Sequence, residues 1–384
     1  MLKKTFQCLL LTAGIVFFQS ENSFSQTDST FKKKFSLSLY NFNYLRDYEY
    51  FSPIMEGYTL FGSIVQPAVE FKATDHVTFK AGVFVQQNFG EDSLRIRPSF
   101  LLKLENKKTQ FQFGNYRSEG YNLIEPLYFT DKLITENLDN GFLLSQVFGK
   151  LNIIQWLDWE RAIQNGSDFQ ERVWGGMSLN FLPLNKYYRA IQFPVACYLQ
   201  HTGGQINQID SSFHVRTLLN ASFGIKSESY ENPKFFSQVG AETHFVYYKE
   251  FFPIQNNIFK DGNGIWTSTY MRLHLDSKKK NNNSLKIVFS YWQGKKFLSP
   301  KGNPLMQSVS VVYPKSDYNE NERRLLFLNL KYETTIDNKI NFNLSFEPYY
   351  DFKNKLLEYG IHLQTIFPFE RFIYWRRFTG TPRF

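Results

Sequence analysis

The feature that most constrains this chain is the alternation of apolar and polar residues in runs of about ten. Along residues 94–104, the apolar Leu94 and Ile96 alternate with Arg95 and Arg97. A spacing of two places successive side chains on opposite faces of a β-strand. Because charges occupy the middle of the polar face, that face cannot lie against lipid and must face water. The pattern therefore predicts strands that are apolar on one face and wet on the other.

The length of these runs favours a membrane barrel over a soluble β-sandwich. Soluble strands most often have about 5–6 residues, whereas a tilted strand needs about 9–11 residues to cross a bilayer. Only 21% of the 384 residues are charged and 18% are aromatic, which excludes a disordered polar chain. Beyond the N-terminal segment, no apolar run reaches the roughly 18 residues of a membrane-spanning helix. The chain is therefore predicted to be all-β, a transmembrane antiparallel up-and-down β-barrel.

The number of strands depends on how the C-terminal part of the chain is interpreted. Alternation breaks down in 305–313, and placing this segment in an outer loop leaves about 16 strands, the last near 357–369. The alternative of 18 strands makes 371–384 the last one. That segment contains Pro382 and would place Arg376 on an apolar face, so 16 strands are favoured.

The N-terminal segment has the features of a secretory signal peptide. Lys3 and Lys4 precede an apolar stretch, and the small residues Ser23 and Ser25 mark a cleavage site. After cleavage, Cys197 has no partner for an intrachain disulfide. We predict three parts, which are a signal peptide at 1–25, an outer-membrane β-barrel at 26–369, and a C-terminal tail or last strand at 370–384.

The strand pattern and the chain ends resemble those of bacterial outer-membrane β-barrel proteins of the porin-like kind. Besides the leader, the resemblance rests on aromatic strand ends and on the terminal Phe384. The segment 358–363, followed by Phe367 and Phe369, partly matches the assembly signal of the final strand in that class. The abundance of Asn, Lys, Phe and Tyr is similar to that of chains from Bacteroidota. The resemblance implies a location in the outer membrane of a Gram-negative bacterium, with outer-membrane lipid, lipopolysaccharide and the outer-membrane assembly machinery as partners.

Charged residues on the wet face of the strands are candidates for lining the lumen of such a barrel. A ring of Arg and Lys side chains attracts anions and tunes the selectivity of a pore. In the alternative interpretation, these cations are ordinary lumen residues that pair with carboxylates such as Asp276 and Glu347. The candidates for the lumen are Lys80, Arg95, Arg97, Lys103, Arg216, Lys226, Arg272, Asp276 and Glu347.

Two segments near the outer strand ends are candidates for binding a ligand. The segment 156–161 combines aromatic rings with carboxylates, as sugar-binding surfaces do, although an aromatic girdle at the membrane interface gives the same pattern. The long loop 118–140 can fold inward as a plug or remain a mobile surface loop. The candidates in loops and at strand ends are Glu125, Tyr128, Trp156, Asp158, Trp159 and His201.

His201 is the residue that an ester-cleaving enzyme would use. An outer-membrane phospholipase would need a serine two residues after the histidine, and that position is Gly203. Without a nucleophile in the motif, a glycine turn at the outer rim is the preferred interpretation. We therefore predict that the chain is not an enzyme, with an outer-membrane esterase as the remote alternative.

The predicted function is that of an outer-membrane channel through which small polar or anionic solutes pass, with saccharides among the candidates. The alternative is a closed barrel that binds a polysaccharide or a partner protein at the cell surface. No motif indicates a cofactor or a metal site, and a secreted barrel does not meet nucleic acid.

Overall fold

The computed structural model describes residues 34–118, 120–186, 188–203, 215–230, 236–251, 258–275, 283–312, 317–337 and 339–373. Within them, sixteen strands form one closed antiparallel barrel, in which each strand pairs with its neighbours in the sequence and the last strand pairs with the first. The strands are β1 (Lys34–Glu49), β2 (Thr59–Thr74), β3 (Val77–Asn88), β4 (Leu94–Glu105), β5 (Thr109–Arg117), β6 (Leu138–Phe148), β7 (Leu151–Arg161), β8 (Glu171–Lys186), β9 (Arg189–Gly203), β10 (Arg216–Ser229), β11 (Phe236–Phe251), β12 (Asp261–His274), β13 (Ser284–Lys295), β14 (Glu322–Ile336), β15 (Ile340–Asp351) and β16 (Leu356–Ile373).

The sixteen strands observed in the barrel confirm the predicted number. Residues 305–312 are not a strand, and a short helical turn at Pro304–Met306 lies between β13 and β14. β16 runs to Ile373, beyond the predicted end near 369. The predicted signal peptide, and the chain beyond Ile373, lie outside the described residues.

Side chains alternate across the barrel wall as the sequence predicts. On β10, Leu218 and Asn220 are buried on the lumen side, whereas Phe223 on the outside is 61% exposed. On β4, the buried Ser99 stands beside Phe100, which faces outward. Large apolar side chains therefore cover the surface that lipid contacts, and polar groups line the interior.

Three outer loops enter the barrel and fill the outer half of its lumen. We call them the plug, which comprises residues 50–58, 120–137 and 296–312 and contains the short helix α1 at Lys132–Thr135. No helix in the described residues is both long and apolar enough to cross a membrane. Side chains of the plug and of the wall form one buried cluster that includes Trp292. Each large apolar side chain buried in this way contributes about 1.5–3 kcal/mol, so the plug is packed like the core of a domain.

Backbone hydrogen bonds join the loops of the plug to one another. Phe129 N donates to Lys301 O over 2.7 Å, and Val311 N donates to Ile54 O over 2.9 Å. These bonds tie the first and second loops to the third. Of the two structures predicted for loop 118–140, the inward-folded one is therefore present.

The pairing between β4 and β5 is much shorter than that between other neighbours. Only Leu101–Glu105 pairs with Gln110–Gly114, whereas β1 and β16 share fifteen residue pairs. Pairing stops at Gly114, which has a φ of +118° and where a Cβ atom would lie 2.2 Å from the Phe100 carbonyl oxygen. Only glycine fits such a position. Residues 94–100 of β4 therefore pair with β3 on one side and with no described strand on the other, and we call this gap the β4–β5 seam.

Candidate functional site

Most of the predicted lumen cations are neutralised by carboxylates. Five of the seven form an ion pair on the lumen side, so they do not present a free positive stripe along the wall. This arrangement matches the alternative interpretation of these residues. The pairs are Lys80 with Glu70 (2.9 Å), Lys103 with Glu105 (2.7 Å), Arg216 with Glu250 (2.7 Å), Lys226 with Glu228 (3.0 Å) and Arg272 with Glu333 (2.5 Å).

The carboxylate partners escaped the sequence analysis, although some of them left a signal. Lys103 and Glu105 stand two residues apart in β4, so the period of two places both on the lumen face. The pairing of Arg216 with Glu250 depends on the register between β10 and β11, which the alternation of one strand does not reveal.

Of the two acidic residues predicted to line the lumen, the structure describes only Glu347. Asp276 lies outside the described residues. Glu347 lies in the lumen, where it accepts hydrogen bonds from Asn329 Nδ2 (2.6 Å) and Ser345 Oγ (3.1 Å) and faces His362 Nδ1 at 3.3 Å. Polar neighbours, and none of the predicted cations, therefore hold its carboxylate.

Arg95 and Arg97 differ from the other predicted lumen cations. Both are exposed and lie on the lumen-facing side of β4, along the β4–β5 seam. Arg95 Nη1 lies 3.3 Å from Gln86 Oε1 and 3.5 Å from Thr135 O, at the outer limit of hydrogen bonding. Neither guanidinium forms an ion pair with a carboxylate in the described part of the chain.

The two candidates in the long loop belong to the plug. Glu125 Oε1 accepts a hydrogen bond from Asn303 Nδ2 at 2.8 Å. Burial raises the pKa of Glu125 to about 7, and the nearby Glu347 carboxylate acts in the same direction. The Tyr128 hydroxyl lies 2.5 Å from Ser118 Oγ, and burial raises the pKa of Tyr128 to about 12. Glu125 borders the cavity beneath the plug, and Tyr128 lies within the plug core.

The aromatic segment of β7 is divided between the inside and the outside of the barrel. Trp156 stacks on Tyr121 of the plug with ring centroids 4.5 Å apart, and Asp158 Oδ2 accepts a hydrogen bond from Trp174 Nε1 at 2.9 Å. Trp159, in contrast, is 43% exposed on the outside. The segment therefore does not present its rings and carboxylates on one common surface.

Buried ion pairs that the sequence analysis missed anchor the plug to the wall. Arg46 of β1 bonds to Asp131 of the plug, and both side chains are almost fully buried. Lys301 of the plug bonds to Glu136 and to Glu160 of β7. Burial opposes the charge of Lys301, but the two carboxylates raise its pKa above the usual value.

Two polar cavities lie in the lumen beneath the plug. The larger, of about 460 Å³, is bordered by Glu125, Lys226 and His244. The smaller, of about 390 Å³, is bordered by Lys80 and Lys103. In the residues that the structure describes, no group of three or more His, Cys, Asp or Glu side chains is arranged to hold a metal ion. Within the described residues, the plug thus packs across the lumen above both cavities.

His201 lies at the outer end of β9 and points away from the lumen. The Tyr198 hydroxyl bonds to Ser299 Oγ of the plug at 2.7 Å, and Thr202 borders a polar cavity at the outer end of the lumen. Because even-numbered residues of β9 face inward, His201 faces outward.

Two further side chains surround His201. Thr217 is the cross-strand partner of His201 on β10, and its Oγ1 lies 2.8 Å from His201 Nδ1. Glu171 of β8 pairs with Gly203. A Cβ atom at Gly203 would lie 3.1 Å from His201 Nε2 and 3.6 Å from Glu171 Oε2, so both groups border the same small space. The site combines a hydroxyl, an imidazole and a carboxylate, the groups that nucleophilic and acid–base catalysis requires.

Sequence reasoning missed Thr217 because it sought a nucleophile two residues after His201. The structure supplies the hydroxyl from the next strand. One signal was present: Thr217 interrupts the apolar face of β10 between Val215 and Leu219. The register that places it opposite His201 cannot be read from either strand alone.

Similar solved structures are outer-membrane barrels. A loop L8 deletion mutant of OmpT, an outer membrane protein of Vibrio cholerae, has a TM-score of 0.52 and 9% identity, with 87% of this chain and 99% of that chain covered. In-vitro folded OmpT of the same organism has a TM-score of 0.52 and 7% identity, with 90% and 100% covered. This likeness of fold confirms the predicted resemblance to outer-membrane β-barrel proteins. No curated protein matches the chain.

A family model corrects one prediction. The model described as lipid A 3'-O-deacylase-type matches residues 25–373, about nine-tenths of the chain. Because this description names an enzymatic activity, the prediction that the chain is not an enzyme is wrong. That prediction rested on the absence of a hydroxyl in the motif after His201, whereas the structure places the Thr217 hydroxyl beside this histidine from the next strand. The chain belongs to the lipid A 3'-O-deacylase-type family.

Proposed function

We propose that the chain cleaves an acyl ester of an outer-leaflet lipid at the outward-facing site formed by His201, Thr217 and Glu171. The observation that carries this proposal is the 2.8 Å contact between His201 Nδ1 and Thr217 Oγ1, because a nucleophile and its base must lie within hydrogen-bond reach. The family description, which names removal of an O-linked acyl group from lipid A, supports the reaction type. The outward position supports it too, since an outer-leaflet lipid meets the outside of the barrel.

The proposed reaction has two steps. His201 Nδ1 takes the hydroxyl proton of Thr217 while Oγ1 attacks the ester carbonyl carbon, and His201 then returns the proton to the leaving alcohol oxygen. The acyl group is now bonded to Thr217 Oγ1. A water that His201 deprotonates attacks this second ester, which releases the fatty acid and restores the hydroxyl. Glu171, on the Nε2 side of the ring, stabilises the imidazolium formed in both steps.

Thr217 is covered by its neighbours before the substrate arrives. Thr217 is only 1% exposed, whereas His201 is partly exposed. The carbonyl group must therefore displace the neighbours that cover the hydroxyl. Such cover strengthens the electrostatic interactions of the imidazole and protects the acyl intermediate from premature hydrolysis.

The test is release of fatty acid from lipid A in mixed micelles by the purified full chain, measured by mass spectrometry. We expect His201→Ala and Thr217→Ala to lower the rate by at least about 100-fold, and Thr217→Ser to retain most of it. His76→Ala is the matched control, because His76 lies in the exposed turn between β2 and β3. The proposal fails if the wild type releases no fatty acid, or if folded His201→Ala and Thr217→Ala proteins keep the wild-type rate.

A second candidate function is passage of small polar solutes through a lumen that the plug gates. The two polar cavities beneath the plug favour it, because a solute would find hydrogen-bonding groups along that half of the lumen. Planar-bilayer conductance tests it. We expect little conductance from the wild type and steady conductance from a variant whose plug anchor is removed, such as Arg46→Ala. A barrel that stays closed without this anchor contradicts the candidate.

A further inference from the structure

The unpaired half of β4 is apolar on one face and basic on the other. On the outside, Leu94, Ile96 and Phe100 are 50%, 59% and 63% exposed, so this half continues the lipid-facing surface of the barrel. On the other face, Arg95 and Arg97 project beside the seam, and neither forms an ion pair in the described part of the chain. The unpaired half of β4 therefore presents an apolar surface on one face and unpaired positive charges on the other.

A third guanidinium lies on the β5 side of the seam. Arg117 stacks over the Tyr40 ring, with its Cζ atom 3.5 Å from the ring centroid. Its buried Nε atom has no hydrogen-bond partner within the described residues. A buried donor left unsatisfied costs about 1–3 kcal/mol, so an acceptor supplied by a ligand would be favourable there.

The inner end of the seam, where Phe100 N donates a hydrogen bond to Asn115 Oδ1 at 2.9 Å, lies beside a cavity inside the barrel. Ser99 of β4 and Asn115 of β5, which stand at the inner end of the seam, border the cavity of about 390 Å³. Arg117 borders the same cavity. Elsewhere in the lumen, the predicted cations already have carboxylate partners. Among the predicted lumen cations, those without a carboxylate partner in the described residues therefore lie along the seam.

The chemistry of the seam selects one class of ligand. Phosphate oxygens match the planar fork of a guanidinium and form two parallel hydrogen bonds with it. A free anion would gain nothing from the exposed outside of β4, whereas acyl chains would cover Leu94 and Ile96. A lipid with a phosphorylated headgroup satisfies both faces of the strand at once.

We propose that the β4–β5 seam binds a phosphate-bearing lipid of the outer leaflet. Its headgroup lies against the unpaired edge of β4, its phosphate bonds to Arg95, Arg97 and Arg117, and its acyl chains stay outside against β4. This site goes beyond the ester-cleaving site on β8–β10, and neither proposal depends on the other. The seam can bind lipid in a protein that cleaves none.

Native mass spectrometry of the full chain in detergent tests the proposal. The protein is mixed with equal amounts of phosphatidylglycerol and diacylglycerol that have identical acyl chains, and in a separate arm with inorganic phosphate. We expect the wild type to retain phosphatidylglycerol in preference to diacylglycerol. Loss of two charge-assisted hydrogen bonds in Arg95→Gln/Arg97→Gln should reduce that preference roughly tenfold or more. The Arg95→Lys/Arg97→Lys variant should keep part of it, because it keeps the charge.

Arg189→Gln is the matched control, since Arg189 is an exposed arginine at the opposite end of the barrel and should leave retention unchanged. Equal retention of both lipids by the wild type would overturn the proposal. Retention that the double Gln variant shares with the wild type would overturn it too, as would binding of inorganic phosphate with no preference between the lipids. A polypeptide found paired with the free edge of β4 would assign the seam to a protein partner instead.

Discussion

The outer end of the barrel differs between its inside and its outside. Inside, the plug is packed with aromatic rings, and the charges that join it to the wall are matched, as Arg46 is by Asp131 and Lys301 is by Glu160. Outside, at the same end, His201 contacts Thr217 on a face that should be apolar. The charges inside therefore have a structural role, which is to hold the plug in the lumen.

The polar groups on the outside, His201 and Thr217, do not hold the plug in the lumen. A polar side chain on a lipid-facing position costs free energy unless it is hydrogen-bonded, and polar groups at such positions mark functional sites by default. The difference teaches that burial and ion pairing, taken alone, would direct attention to the plug and away from the proposed site. The site with reactive groups within bonding distance is on the outside.

The largest effect is expected from removing the anchor between wall and plug. Arg46→Ala leaves Asp131 buried without its cation, so seating of the plug should weaken by about 3–5 kcal/mol. Hydrogen exchange of residues 120–137 measures this change. Ester cleavage should be unaffected, because the His201 site lies on the outer face. Arg324→Ala is the control, since Arg324 is 55% exposed and 3.9 Å from Glu322, and it should change stability by less than about 0.5 kcal/mol. Loss of ester cleavage together with the plug would break the separation between inside and outside.

A smaller effect is expected from pH. The pKa of Glu125 is raised from 4.5 to about 7 in the seated plug, so the seated state binds the proton more tightly than the released state does. Its stabilisation is full below about pH 4.5 and is lost as pH rises through about 7, with a total of up to about 3 kcal/mol. Protection of residues 120–137 from hydrogen exchange should therefore be stronger at pH 5 than at pH 8. Glu125→Gln should remove this dependence, and a wild type whose protection rises with pH would contradict the account of the plug.

The smallest effect is expected at Gly203. The Cβ atom of Gly203→Ala would lie 3.1 Å from His201 Nε2, so the ring must shift by a few tenths of an ångström. We expect the rate of ester cleavage to fall roughly tenfold, because small displacements of catalytic groups reduce rates steeply. Thr202→Ala, on the lumen side of the same strand, should leave the rate unchanged. Equal rates for both variants and the wild type would indicate that the space between His201 and Glu171 is not used.

The barrel could be predicted from the sequence, but the sites in it could not. The number of strands and the residues that face outward could be predicted from the alternation of apolar and polar residues. Each strand buries one face, and this imposes a period of two within the strand itself. The Arg46–Asp131 anchor joins a strand to a loop 85 residues away, and no local pattern carries such a contact. Thr217 reaches His201 through strand register, and the β4–β5 seam is a missing pairing that the alternation of Leu94–Arg97 cannot reveal.

The most direct test of the central claim, that chemistry takes place on the outside of the barrel through Thr217, is the site of covalent modification by a lipid-like fluorophosphonate. The purified protein is treated in micelles, digested, and its peptides are analysed by mass spectrometry. The account predicts an adduct on Thr217 that is absent from the His201→Ala protein. A wild type that releases fatty acid but carries its adduct on a lumen-facing residue, or carries none, would contradict the account.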